Sequence, residues 1–208
     1  MLSAESKERK ALHYFSLSFL INFIFGIVGW IVSFTTIGFV LFSPMPPNQP
    51  VHIFSPSSFI PILIVNGIGV ILSIYYLWHG FDLMEKILPD ISLGKTGSIL
   101  LIFSIFVYPS LLSVFIIGPA FPDPLGPIMV LFFIAGTLGV VGLIGFIMVL
   151  IGIYRIGDHY NSTIIKVGAI LMIFIGIVGA ILLFIGFKDL ENNPRGKKAI
   201  VLPPPPPW

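Results

Sequence analysis

From residue 13 to residue 42 the chain runs for 30 residues without a Lys, Arg, Asp or Glu. As one helix rising 1.5 Å per residue, that stretch would be about 45 Å long, against a bilayer hydrocarbon core of about 30 Å. It must therefore tilt in lipid or project past one interface. Asn22, Thr35 and Thr36 are among its polar members.

Four further apolar runs follow, at residues 59–81, 97–117, 128–153 and 164–187. Only 10% of the chain is charged and 56% is hydrophobic, with a mean hydropathy of +1.05. A soluble domain carries about 25% charged residues to dress its surface. Lipid is the solvent this composition requires. The fold class expected is therefore all-α, a polytopic membrane helix bundle with five transmembrane helices over residues 13–187. It is flanked by a cytoplasmic N-terminal segment (1–12) and a basic, Pro-rich tail (188–208).

Cysteine is absent, which excludes disulfides, thiolate metal sites and thiol catalysis. A net charge of +2, scattered along the chain, gives no nucleic-acid footprint. The connections at 43–58 and 118–127 are proline-rich and contain no Lys or Arg. They belong on the side of the membrane away from the cytoplasm. With the N-terminus inside, Lys7, Arg9, Lys10, Lys86, Lys95, Arg155 and Lys166 are cytoplasmic. Five crossings then strand Lys188, Arg195, Lys197 and Lys198 outside, whereas an even number would remove that exception.

One stretch occurs twice. Lys95 to Phe103 (KTGSILLIF) returns as Lys166 to Phe174 (KVGAILMIF), differing only by Val for Thr, Ala for Ser and Met for Leu. Each copy follows a short polar connection and opens an apolar run. The arrangement suggests a duplicated helical hairpin, spans two and three matching spans four and five. The two lysines sit beside helix starts, where the dipole disfavours a cation. Contact with anionic lipid head groups is the expected explanation.

No ionisable side chain falls centrally within a span, which argues against a coupled transporter. Asn22, Asn66, Ser104, Tyr108 and Pro109 are the candidates for an intramembrane polar path or for helix–helix contacts. Pro109 removes a donor and should break its helix locally. Gly136, Gly139, Gly142 and Gly145 recur every three residues, and Gly176 and Ala180 have small-xxx-small spacing. All six are expected at helix-packing faces. His79, Asp82, Glu85, Asp90, Arg155, Asp158 and His159 gather on the cytoplasmic side. They carry no metal-site spacing and read as a solvated rim.

The segments GKTGSIL (94–100), YRIGDHYN (154–161) and KVGAIL (166–171) resemble an uncharacterised family of small multi-spanning membrane proteins of thermoacidophilic, Sulfolobales-type archaea. The resemblance covers about residues 75–187. It implies an archaeal cell membrane and assigns no activity. Neither a catalytic constellation nor a cofactor is expected. The reading is a non-enzymatic structural or accessory subunit, embedded in the lipid bilayer and packing with other membrane subunits or with itself. The alternative is a small passive transporter or channel with a path between the hairpins.

Overall fold

The computed structural model describes residues 4–42, 56–107, 110 and 125–193. Its elements in chain order are α1 (Ala4–Phe42), α2 (Pro56–Glu85), a single 3₁₀ turn (Pro89–Ile91), α3 (Ser92–Ile105), α4 (Leu125–His159), α5 (Thr163–Phe174) and α6 (Gly176–Asn192). Among the described residues there is no strand. Three helical stretches are long and apolar enough to cross a membrane: Glu5–Thr35, Leu63–Glu85 and Met129–His159.

The helix ends follow from local chemistry. Proline stands at the first position of α2, where its missing N–H costs nothing. The regular part of α3 ends at Ile105, four residues before Pro109, whose ring would collide with that carbonyl. Pro109 itself, with Tyr108, lies outside the described residues. The turn between α4 and α5 is made by Asn161, whose φ of 50° is left-handed, a region Asn tolerates better than most residues.

Small residues set the pairing. Lipid offers no hydrophobic drive between apolar helices, so close backbone approach and interhelical hydrogen bonds must hold them. Helices α1 and α2 run antiparallel, with Gly80 against Phe15 and Gly69 against Phe25. Midway along them the Ser18 hydroxyl donates to the Ser73 carbonyl at 2.8 Å. Helices α3 and α4 pair in the same antiparallel sense. A methyl group at Gly97 would lie 2.6 Å from the Gly145 carbonyl oxygen, and one at Gly142 would lie 2.6 Å from Ser104.

The last apolar run departs from expectation. Residues 164–187 do not form one spanning helix. The chain breaks at Ile175, whose φ and ψ are −137° and 76°, and turns back. Gly168 faces Leu183, Gly179 faces Met172 and Gly186 faces Ile165, a constant antiparallel register. Helices α5 and α6 are thus a tight hairpin. Twelve residues carry α5 only about 18 Å, well short of a 30 Å hydrocarbon core. The approach is close because one member of each facing pair is Gly: a methyl at Gly179 would overlap the Met172 backbone nitrogen.

Helix α6 then lies along α1. Phe15 and Phe187 stack with ring centroids 4.9 Å apart, and Phe15 meets Phe81 edge-on at the same separation. Around these rings Leu12, Met84, Ile91, Ile153, Ile156, Tyr160, Ile165, Leu183 and Leu190 are fully buried. The core is concentrated at this end of the bundle. At the opposite end Trp30, Phe34, Met129 and Phe133 are 63%, 60%, 71% and 77% exposed, as apolar side chains are when lipid surrounds them.

Candidate functional site

Every Lys and Arg among the described residues lies at the end of the bundle that carries the core. Lys95 donates to Asp82 and to Glu85, each at 2.8 Å, while Lys86 reaches the other Asp82 oxygen at 3.1 Å. Lys166 donates to Asp158 at 2.5 Å, and Lys188 to Glu191 at 3.0 Å. Arg155 donates to the Asp90 carbonyl oxygen at 2.5 Å. Lys7, Arg9 and Lys10 lie in the first turns of α1, where Glu8 accepts a hydrogen bond from Tyr160 and His13 meets Glu191.

The two lysines of the repeated stretch have the same surroundings. Each is the fourth residue of its helix, and each is held by a carboxylate from the end of the preceding helix. Those carboxylates sit where the dipole of α2 or α4 disfavours them, so each pair offsets two unfavourable placements. Hydrogen bonds donated to Asp82 first, then to Glu85, raise the Lys95 pKa above its ordinary value. Lipid head groups are not the only source of this charge balance, because the protein supplies part of it from its own side chains.

Tyr160 is fully buried with its hydroxyl bonded to Glu8. Burial first, then the Glu8 carboxylate, pushes the phenol far above the ordinary tyrosine range. The bond ties the first turns of α1 to the α4–α5 turn. Asp82, Glu85 and Asp158 are engaged with lysines, while His79 lies against the rings of Tyr14 and Tyr75. Among the described residues no three His, Asp or Glu side chains gather as metal ligands would.

Behind the buried aromatic layer a cavity of about 430 Å³ opens between the α1–α2 pair and the α3–α4 pair. Its polar lining is Ser18, Asn22, Ser73 and Ser104, and its walls include Phe19, Leu77, Leu101, Phe146 and Leu150. Two of the expected polar residues therefore share a site, Asn22 and Ser104. Asn66 does not line the cavity; it packs against Gly29 at the α1–α2 contact. Ser18 and Ser73, which bond to each other across the helices, carried no signal in the sequence beyond being hydroxyls in apolar runs.

The packing glycines divide likewise. Gly142 and Gly145 are buried against α3, but no described residue stands within 4 Å of a methyl group at Gly136 or Gly139. Ala180 is 1% exposed, whereas Gly176 sits open at the hairpin turn. Close approaches also occur at Gly97, Gly168, Gly179 and Gly186, which no spacing rule singled out. Gly97 and Gly168 do hold the same place in the repeated stretch, two residues after the lysine.

Long apolar helices, a charged rim at one end and an internal cavity between helix pairs define an all-α protein with three helices fit to cross a membrane. The chain belongs to the family described as "Protein of unknown function (DUF973)", whose model matches residues 2–207. No curated protein and no solved structure matches it significantly.

Proposed function

We propose that the chain is an integral membrane protein crossing the bilayer four times. In this reading α5 and α6 form a re-entrant hairpin dipping in from the cytoplasmic face. The support is the charge distribution. All eight Lys and Arg of the described residues lie at one end, and cytoplasmic segments carry such an excess. The C-terminal end of α6 lies beside the start of α1, so Lys188 joins the majority instead of opposing it. The matched pairs Asp82–Lys95 and Asp158–Lys166 support a duplication of the helix–turn–helix unit. They also leave the lysines placed at head-group level.

Its role in this reading is structural or accessory, packing with other membrane subunits or with a second copy. The observation that carries it is the bare outer half of α4. Met129, Val130, Phe132, Phe133 and Val140 are 56% to 77% exposed, on a stretch that also holds the open Gly136. Small residues there let another helix approach closely. Native mass spectrometry in mild detergent tests this. A stable hetero-complex or homo-oligomer, dissociated by Gly136→Leu, supports the reading; a lone protomer unaffected by the substitution contradicts it.

A passive solute path is the second reading, favoured by the polar-lined cavity. Against it, Phe15, Phe81 and Phe187 close the cavity toward the charged rim. Solute flux through liposomes carrying the pure protein would overturn the accessory reading in its favour.

A further inference from the structure

We propose that the cavity between the α1–α2 and α3–α4 pairs is a binding site for a neutral membrane amphiphile, an apolar chain bearing one carbonyl or hydroxyl group. The inference goes beyond the accessory role and rests on the membrane placement, which side-specific cysteine labelling judges separately.

The polar lining selects the ligand's polar group. Ser18 and Ser73 satisfy one another, with hydroxyl oxygens 3.0 Å apart and bonds to each other's carbonyls. Ser104 donates to the Leu101 carbonyl in its own helix at 2.6 Å and keeps only acceptor capacity. Asn22 is exposed to the cavity and has no hydrogen-bond partner among the described residues. An amide at this depth has two N–H donors and a carbonyl to satisfy, and lipid tails satisfy none of them. A ligand carbonyl or hydroxyl oxygen can accept from the Asn22 amide, and a ligand hydroxyl can also donate to Ser104.

Depth and shape select the rest. Thirteen helical residues separate Ser73 from Lys86, and thirteen separate Gly142 from Arg155, so the site lies about 20 Å from the charged rim. That is within the hydrocarbon layer, where a charged head group would be costly. Among the described residues no Lys, Arg, Asp, Glu or His lines the cavity to compensate one. With the aromatic layer closing its inner end, entry is from the lipid side or the opposite face. Its volume of about 430 Å³ lies in the range of small-molecule sites, roughly 300–1,000 Å³, enough for part of a chain and its polar group.

Photolabelling of the full chain in nanodiscs with a diazirine-bearing long-chain alcohol tests the site. The expected labels fall on peptides containing Phe19–Asn22 and Gly139–Leu150. Asn22→Leu should lower labelling about fivefold, the worth of one hydrogen bond. Leu143→Trp should block it by filling the mouth. The chain-matched free alcohol should compete, and the same chain ending in carboxylate or trimethylammonium should not. Labelling spread evenly over exposed faces such as Met129–Phe133, or unchanged in both variants, or displaced equally by the charged analogues, overturns the proposal. Should Asn22→Leu fail to fold, Leu143→Trp alone decides between these outcomes.

Discussion

His13 on α1 and Glu191 on α6 meet at 3.2 Å although 178 positions separate them in sequence. Deeper along the same two helices Phe19 stacks on Phe187 at 5.8 Å, and Gly26 approaches Ile177. The contacts run in antiparallel order, so α6 retraces α1 back to the charged rim. That return is possible only because α5 stops at Phe174 and the chain reverses at Ile175. The tight glycine face of the α5–α6 hairpin therefore decides where the end of α6 lies.

The hairpin should be intolerant of side chains on its inner face. Gly179→Val would place atoms against the Met172 backbone, which cannot yield as a flexible side chain would. Overpacking of this kind costs about 1–3 kcal/mol or more. Gly176→Ala, in open space at the turn, should stay within about 0.5 kcal/mol of the parent. Unfolding titrations in mixed micelles compare the two; equal stabilities would mean the helices are not in contact.

Tyr160 makes stability depend on alkaline pH. Its folded pKa is raised, so its contribution is fully present below the unfolded value of about 10 and fades as pH rises above it. Tyr160→Phe should lose the bond to Glu8, costing about 1.5–3 kcal/mol at neutral pH as a bond to a charged acceptor. The deficit should shrink between roughly pH 10 and 12 as unfolded tyrosine ionises. Stability curves of parent and variant that stay parallel over that window would contradict the burial of the phenol.

The Asp82–Lys95–Glu85 cluster is partly exposed and should contribute modestly. Asp82→Asn leaves Glu85 to hold Lys95, and a loss of no more than about 1 kcal/mol is expected. The loss should diminish in high salt. A loss of several kcal/mol, insensitive to salt, would show that these charges are more deeply shielded than the structure places them.

Ser18→Ala removes the one hydroxyl pair that bridges α1 and α2 beside the cavity. Interhelical hydrogen bonds in apolar surroundings average about 0.6 and reach about 1.7 kcal/mol. The cost should fall in that range, because the Ser73 hydroxyl can turn to a carbonyl of its own helix. A neutral result from the same micelle titration would mean the pair is not formed.

Much of this architecture is legible in the residues. Charge-free runs locate α1, α2 and α4. In both copies of the Lys-x-Gly stretch the lysine rests on a carboxylate and the glycine lies in a helix contact. The reversal at Ile175 was not legible. Residues 164–187 are uniformly apolar, with neither proline nor a polar turn residue, and such a run reads as one span. What breaks it is long-range: Gly168, Gly179 and Gly186 meet Leu183, Met172 and Ile165 only once the chain has folded back. The stranded cations of the tail were the one sign in the sequence that weighed against a fifth crossing. The cavity was half legible, since Asn22 and Ser104 were candidates for their polarity, but composition could not separate Asn22, which lines it, from Asn66, which packs on Gly29.

The most direct test uses the absence of cysteine from the chain. Single cysteines at Ser6 and at Asn193 can be labelled with a membrane-impermeant maleimide in sealed right-side-out and inside-out vesicles. Four crossings with a re-entrant hairpin predict that both sites react only in inside-out vesicles. Reaction of Ser6→Cys and Asn193→Cys from opposite sides would show that residues 164–187 cross the membrane and would contradict the account.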